Sequence, residues 1–254
     1  MSEAPPPDVE RPLRVTRLFF VLRIVAALAI GAAIVGQIIT SLRYWQLQGL
    51  TDIPFRLTNF FSFFTIESNI LATVVLVMAI GLTLLKKSPR WFSVLRAVAT
   101  TFMVTTGIVY NLLLRGIELE QGSTLGWSNE ILHLWGPLYL LVDWLFAPGR
   151  HRLDWKHIGT IVAFPIVWAV YTLVRGAVTY DPVLDGGWYP YPFLNPETSA
   201  NGYLSVAFYV ILIAAVIGLV GAGVIRISRL RRGPGAAHAI DDEPVSGDRT
   251  AAAA

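Results

Sequence analysis

Six apolar runs set the limits on what this chain can fold into. They lie near residues 17–41, 59–84, 92–115, 128–147, 157–178 and 203–227. Each is long enough for a helix to cross a hydrocarbon core. Lipid offers backbone N–H and C=O groups no partner, so a spanning segment must satisfy its own hydrogen bonds as a helix or within a closed barrel. Runs of this length without strict alternation predict helices. The expected fold is therefore all-α, a polytopic membrane protein built as a bundle of six transmembrane helices. Composition agrees: 15 % of the 254 residues are charged and 54 % are hydrophobic, whereas a typical soluble domain is about 25 % charged.

Lysine and arginine placement predicts the orientation. One set of flanks carries Arg11, Arg14 and Arg17, then Lys86, Lys87 and Arg90, then Arg150, Arg152 and Lys156, and finally Arg226, Arg229, Arg231 and Arg232. The opposite flanks carry only Arg43, Arg56, Arg115 and Arg175. Both termini are expected in the cytoplasm, with loops one, three and five outside. Residues 1–16 predict a disordered cytoplasmic leader and 17–227 the transmembrane domain. Residues 228–254 predict a basic, then disordered, cytoplasmic tail without apolar periodicity. The first run is too long for an ordinary signal peptide and is expected to be retained. There are no cysteines, which excludes disulfides, thiolate nucleophiles and zinc–cysteine sites. Nothing predicts a cofactor, a resident metal or a nucleic-acid partner. The fifth loop, YDPVLDGGWYPYPFLNPETSANG, is rich in Pro, Gly and aromatics. It predicts a rigid interfacial loop or a lid over a site on the outer face.

Polar residues inside the runs point to function. In FFSFFTIESNILATVV, residues 61–76, a continuous helix places Thr58, Ser62, Thr65, Asn69 and Thr73 within about 80° of one another. Glu67 falls about 160° away and is expected to pair with an arginine or a tyrosine, since intramembrane carboxylates usually find a partner. The fourth run, SNEILHLWGPLYLLVDWLF, holds His133, the only histidine in the interior of a run, since His157 stands at the cytoplasmic edge of the fifth. Asn129, Glu130, His133 and Pro137 share its face. Thr65 and His133 both lie about 9 Å inside the outer boundary at 1.5 Å per residue. Asn111 and Arg115, on the third run, and Tyr171 and Arg175, on the fifth, reach the same level. Asp143, at the far end of the fourth run, is expected to pair with a loop arginine.

A hydroxyl beside an imidazole is the minimum for nucleophilic acyl transfer, because the base must take the hydroxyl proton as the bond forms. The oxyanion needs donors, for which Asn69, Asn111 and Asn129 are candidates, and Glu130 is placed to orient the imidazole as a triad acid does. Ordinary Ser/Thr backbone bonding accounts equally well for the hydroxyls taken singly.

FFSFFTIESN, NEILHLWGP and WYPYPFLNP before a last helix together resemble the androgen-induced protein family and its bacterial six-helix relatives, over most of residues 17–227. The resemblance implies a multi-pass protein of the bacterial plasma membrane. In the animal branch a threonine and a histidine form the catalytic pair of a hydrolase of fatty acid esters of hydroxy fatty acids. The matching positions are Thr65 and His133, with Tyr191, Pro192 and Phe193 matching a Y-P-F signature. The asparagine after the threonine and the proline after the histidine are each displaced by about one residue from the animal pattern, which keeps Ser62 beside Thr65 as an alternative nucleophile. The implied partner is a membrane lipid or acyl-ester substrate. The alternative is a lipid or small-molecule binding protein, or a transporter, using the same pocket. Transporters commonly carry related halves or interrupted helices, neither of which is evident. A rhomboid-type protease lacks its G-x-S-G here, and haem bound across helices would need a second intramembrane histidine.

Overall fold

The structure, a computed structural model, describes residues 7–117 and 124–230 of the chain, with the side chains of residues 7–13 left aside. Residues 1–6 of the expected leader and the expected tail from residue 231 lie outside the described residues. Helix α1 spans Pro7–Leu47, α2 Ile53–Phe61, α3 Phe64–Leu84 and α4 Arg90–Val109. A π-helical turn, Tyr110–Leu114, extends α4. The fourth apolar run is α5, Gly126–Glu130, a second π-turn, Ile131–Trp135, and α6, Gly136–Phe146. Then follow α7, His157–Val178, and α8, Tyr203–Arg229. Two short antiparallel strands, β1 (Tyr180–Asp181) and β2 (Gly186–Gly187), form a small hairpin between α7 and α8.

This is an all-α membrane bundle. Among the described residues five helices are long and apolar enough to cross a membrane; the fourth run, helical from Gly126 to Phe146 through its π-turn, is not one of them. Leu18, Val21, Val25 and Leu28 on α1, and Leu204, Phe208, Ile211 and Leu219 on α8, are exposed on the outside of the bundle, an apolar surface of the kind that lipid covers. Two boundaries differ from expectation. Helix α1 begins at Pro7, ten residues before the expected span, so residues 7–16 are helical rather than disordered; proline at a first helical position gives up only an N–H that has no helical partner. The second run is broken at Ser62–Phe63 rather than continuous.

Helix α4 is the centre of the bundle and touches α3, α6, α7 and α8. Its residues Ala97, Ala99, Thr101 and Met103 are fully buried. Small side chains let neighbouring backbones approach closely, the usual basis of helix packing in membranes. Gly107 shows why: a Cβ there would come within 2.9 Å of Pro137 and 3.3 Å of the His133 carbonyl oxygen. At the end of the bundle where α1 begins and α8 finishes, Asp143 is clamped by two arginines. Arg23 Nε donates to Oδ1 at 2.7 Å, and Arg96 Nη2 to Oδ2 at 2.8 Å. Asp143 thus pairs with arginines on two helices, not with a loop arginine.

Candidate functional site

The break between α2 and α3 places Thr65. Phe63 is extended (ψ 126°) and packs edge-on against Trp188 at 5.7 Å and Tyr191 at 5.5 Å between ring centres. The Ser62 carbonyl, released from the helix ladder, accepts from Trp168 Nε1 at 3.1 Å. Restarting a helix at Phe64 leaves its first N–H groups without helical partners. The Tyr191 hydroxyl takes one of them, accepting from the Thr65 N–H at 3.2 Å, and lies 3.3 Å from Thr65 Oγ1. Tyr191 is therefore both cap and side-chain partner to Thr65. Burial pushes its phenol up to about 12, against the pull of the Thr65 hydrogen bonds, so it stays protonated and able to donate at neutral pH.

The second π-turn places His133. In this turn the Gly136 N–H bonds back to the Ile131 carbonyl, bypassing Leu132, and Pro137 has no N–H to offer His133. Two carbonyls are left over, and buried carbonyls need donors. Asn69 Nδ2 supplies one to Leu132 at 3.2 Å while also bonding the Thr65 carbonyl at 2.8 Å. Asn111 Nδ2 supplies the other to His133 at 3.2 Å and also bonds Gly107 at 2.8 Å. One amide thus links the backbone of Thr65 to the residue before His133. The imidazole stacks on Tyr110 with 3.8 Å between ring centres, and Asn129 holds both rings: its side-chain amide bonds the Tyr110 hydroxyl, and its carbonyl accepts from His133 Nδ1 at 2.9 Å. A carbonyl only accepts, so Nδ1 carries the proton and Nε2 keeps its lone pair, the tautomer a base needs.

Several expected roles change. Asn69 and Asn111 each donate to two carbonyls, so neither has an N–H left for an oxyanion, while Asn129 donates to the Tyr110 hydroxyl. Glu130 does not orient His133; its carboxylate forms a two-pronged pair with Arg115, at 3.0 Å on each arm. The five-residue stripe dissolves at the helix break. Thr58 and Thr73 bond backbone carbonyls within their own helices, and Ser62 Oγ is shared between the Thr58 carbonyl at 2.7 Å and the Tyr171 hydroxyl at 2.9 Å. Arg175 bonds Asn59 Oδ1 at 2.6 Å. Glu67 is half-buried and makes no hydrogen bond or ion pair with an arginine or tyrosine among the described residues, and its Oε2 is buried without a hydrogen bond.

Thr65 opens onto a cavity of about 490 Å³ between α3, α4, α7 and α8. Phe64, Val109, Leu173, Ile213 and Ile217 make its lining almost wholly apolar, and its polar edge is Thr65, Thr105, Thr106, Tyr110 and Tyr191. Ser62 is not in its wall, which favours Thr65 of the two hydroxyls. Thr65 and His133 share no hydrogen bond among the described residues; Tyr110 connects them, lining the cavity and stacking on the imidazole. The fifth loop packs into the bundle, with Trp188, Tyr191 and Leu194 buried. Tyr110, Thr105 and Thr106 also line the cavity, and their only signal in the sequence is the i, i+4 step from Thr106 to Tyr110. Neither these three nor Arg23 and Arg96, single charges inside long apolar runs, are among the residues that the sequence singles out. Among the described residues no group of three His, Asp or Glu side chains is placed to hold a metal ion.

No family model matches the chain, and no curated protein or solved structure matches it.

Proposed function

We propose that this chain is an intramembrane lipid-ester hydrolase, of the type acting on fatty acid esters of hydroxy fatty acids, with Thr65 as nucleophile and His133 as general base. In this reading α5, the π-turn and α6 together make a sixth span, both termini are cytoplasmic, and the site lies in the outer half of a bacterial plasma membrane. The resemblance to the androgen-induced protein family points the same way. The observation that carries the reading is the Thr65 hydroxyl, at the first turn of α3, on the wall of an acyl-sized apolar cavity.

Thr65 Oγ attacks the ester carbonyl carbon, and its proton passes to Nε2 of His133 through one bridging water or a turn of the imidazole away from Tyr110. The tetrahedral intermediate collapses, the carbon–oxygen bond to the alcohol breaks, and the leaving alkoxide takes the proton from Nε2. Water, deprotonated by the same nitrogen, then releases the acid from Thr65. The protonated Tyr191 hydroxyl is a donor for the oxyanion, and the first turn of α3 favours negative charge there. A fluorophosphonate probe tests the assignment: labelling of purified wild type should be lost in Thr65→Ala and strongly reduced in His133→Ala, and labelling that survives both removes the catalytic roles.

The second reading, a lipid-binding protein without chemistry, is favoured by one observation: the Thr65 hydroxyl pairs with Tyr191 and not with the imidazole. Saturable lipid binding with no probe labelling would select it.

A further inference from the structure

A second cavity, about 350 Å³, opens at the opposite end of the bundle from the termini. The close of α1 (Trp45), α2 (Arg56 and Asn59) and the fifth loop (Asp181, Trp188, Tyr191) bound it. Arg56 is about nine-tenths buried, with its side chain 11 % exposed, and sits 3.7 Å from Asp181 Oδ1. Its Nε is buried without a hydrogen-bond partner. Arg175, on α7, stands behind two residues of that wall, Asn59 and Trp188. Its Nη2 donates to Asn59, its guanidinium lies 4.9 Å from the centre of the Trp188 ring, and its Nη1 is also buried without a partner. Arg175 forms no ion pair among the described residues. Asp181 therefore answers Arg56 alone, Arg175 is left without a counter-ion among the described residues, and each guanidinium has a donor to spare. Buried charge of that kind is costly unless an opposite charge and its hydrogen bonds complete it.

The position of this cavity identifies what completes it. Tyr191 lines both cavities, and the successive residues Phe63 and Phe64 line one each. An anionic head at the arginines and an acyl chain beside Thr65 would occupy the two cavities together, with Tyr191, Phe63 and Phe64 between them. We propose that Arg56 and Arg175 bind the free carboxylate of an acyl lipid whose chain lies in the Thr65 cavity, an inference that rests on reading that cavity as an acyl site. The excess of one positive charge matches a monoanionic carboxylate and not a dianionic phosphate. Guanidinium donors pair with carboxylates in a planar, two-pronged geometry. In the proposed reaction the anchored carboxylate belongs to the substrate, and it fixes how far along the chain the ester meets Thr65.

Calorimetric titration of the full chain in phosphatidylcholine nanodiscs, at alkaline pH and with empty nanodiscs subtracted, tests this with laurate, methyl laurate and dodecyl phosphate. Laurate should bind about tenfold or more tightly than methyl laurate, the size expected for charged hydrogen bonds. That preference should vanish in Arg175→Gln and in Arg56→Gln. Equal affinity for laurate and methyl laurate in wild type overturns the proposal, with no dependence on how the variants fold. Dodecyl phosphate binding more tightly than laurate overturns the carboxylate assignment. Because the readout is binding, an inert Thr65 would leave the laurate preference in place; loss of hydrolysis and loss of the carboxylate site are thereby separate results.

Discussion

The two ends of the bundle use the same residue types to opposite effect. At the end bearing the termini, Asp143 has both oxygens bound, by Arg23 and by Arg96, and Arg96 also donates to the Asp143 and Pro148 carbonyls. All three side chains are at least 95 % buried. At the end holding the second cavity, Arg56 meets Asp181 loosely at 3.7 Å, Arg175 has no ion pair among the described residues, and each keeps a buried N–H with no protein partner. A closed network holds helices together; an unfinished one with buried donors to spare is built for something the chain itself does not supply. What separates structure from function here is the completeness of hydrogen bonding, not the presence of charge.

The largest effect should come from opening the closed end. Asp143→Ala leaves two buried guanidinium groups without their anion and should cost about 3–5 kcal/mol, seen as a large fall in thermal unfolding temperature in detergent. A loss under about 1 kcal/mol, the scale of an exposed pair, would mean that water reaches that end and that the contrast is wrong. Next comes the middle of the bundle: Asn69→Ala strands the Leu132 carbonyl beside the π-turn, at about 1–3 kcal/mol by the same measurement. At the end holding the second cavity, Arg175→Gln removes a charge that has no ion pair among the described residues, and stability should change by less than about 1 kcal/mol even as laurate binding falls. If Arg175→Gln destabilises as much as Asp143→Ala, that end is a structural network after all.

The smallest effect concerns pH. Burial raises the phenols of Tyr189 and Tyr191, in the fifth loop, from 10.0 to about 12 each. A raised folded-state value means that this loop's contribution is intact below about pH 10 and is lost as pH climbs toward about 12. Tyrosinate absorbance and unfolding temperature, followed together, should show that order; ionisation of both phenols near pH 10 would place the loop in water.

The apolar runs made the bundle legible in sequence, and helical spacing made Thr65 and Asn69 legible as neighbours. What stayed hidden depends on contacts between distant segments. The break at Ser62–Phe63 has no proline or glycine to announce it, because Trp168, Trp188 and Tyr191 create it from elsewhere in the chain. The π-turn could be suspected only from Pro137, whose missing N–H strands a carbonyl, and the asparagines that answer it sit on two other helices. In sequence Arg56 and Arg175 are only scattered flank charges, since the nearness of Arg56 to Asp181 and of Arg175 to Asn59 and Trp188 exists only once α2 and the fifth loop fold together. Glu67 does not make its expected pairing among the described residues for the same reason: such a pairing needs a neighbour that spacing along one helix does not reveal.

The central claim is that Thr65 takes an acyl group from a lipid held between the two cavities. Incubating the full chain with p-nitrophenyl laurate, quenching in acid and mapping peptides by mass spectrometry tests it most directly. The account predicts a lauroyl adduct on Thr65 that forms with the first burst of p-nitrophenol and is absent from Thr65→Ala. An adduct on Ser62, or hydrolysis undiminished in Thr65→Ala, would contradict it.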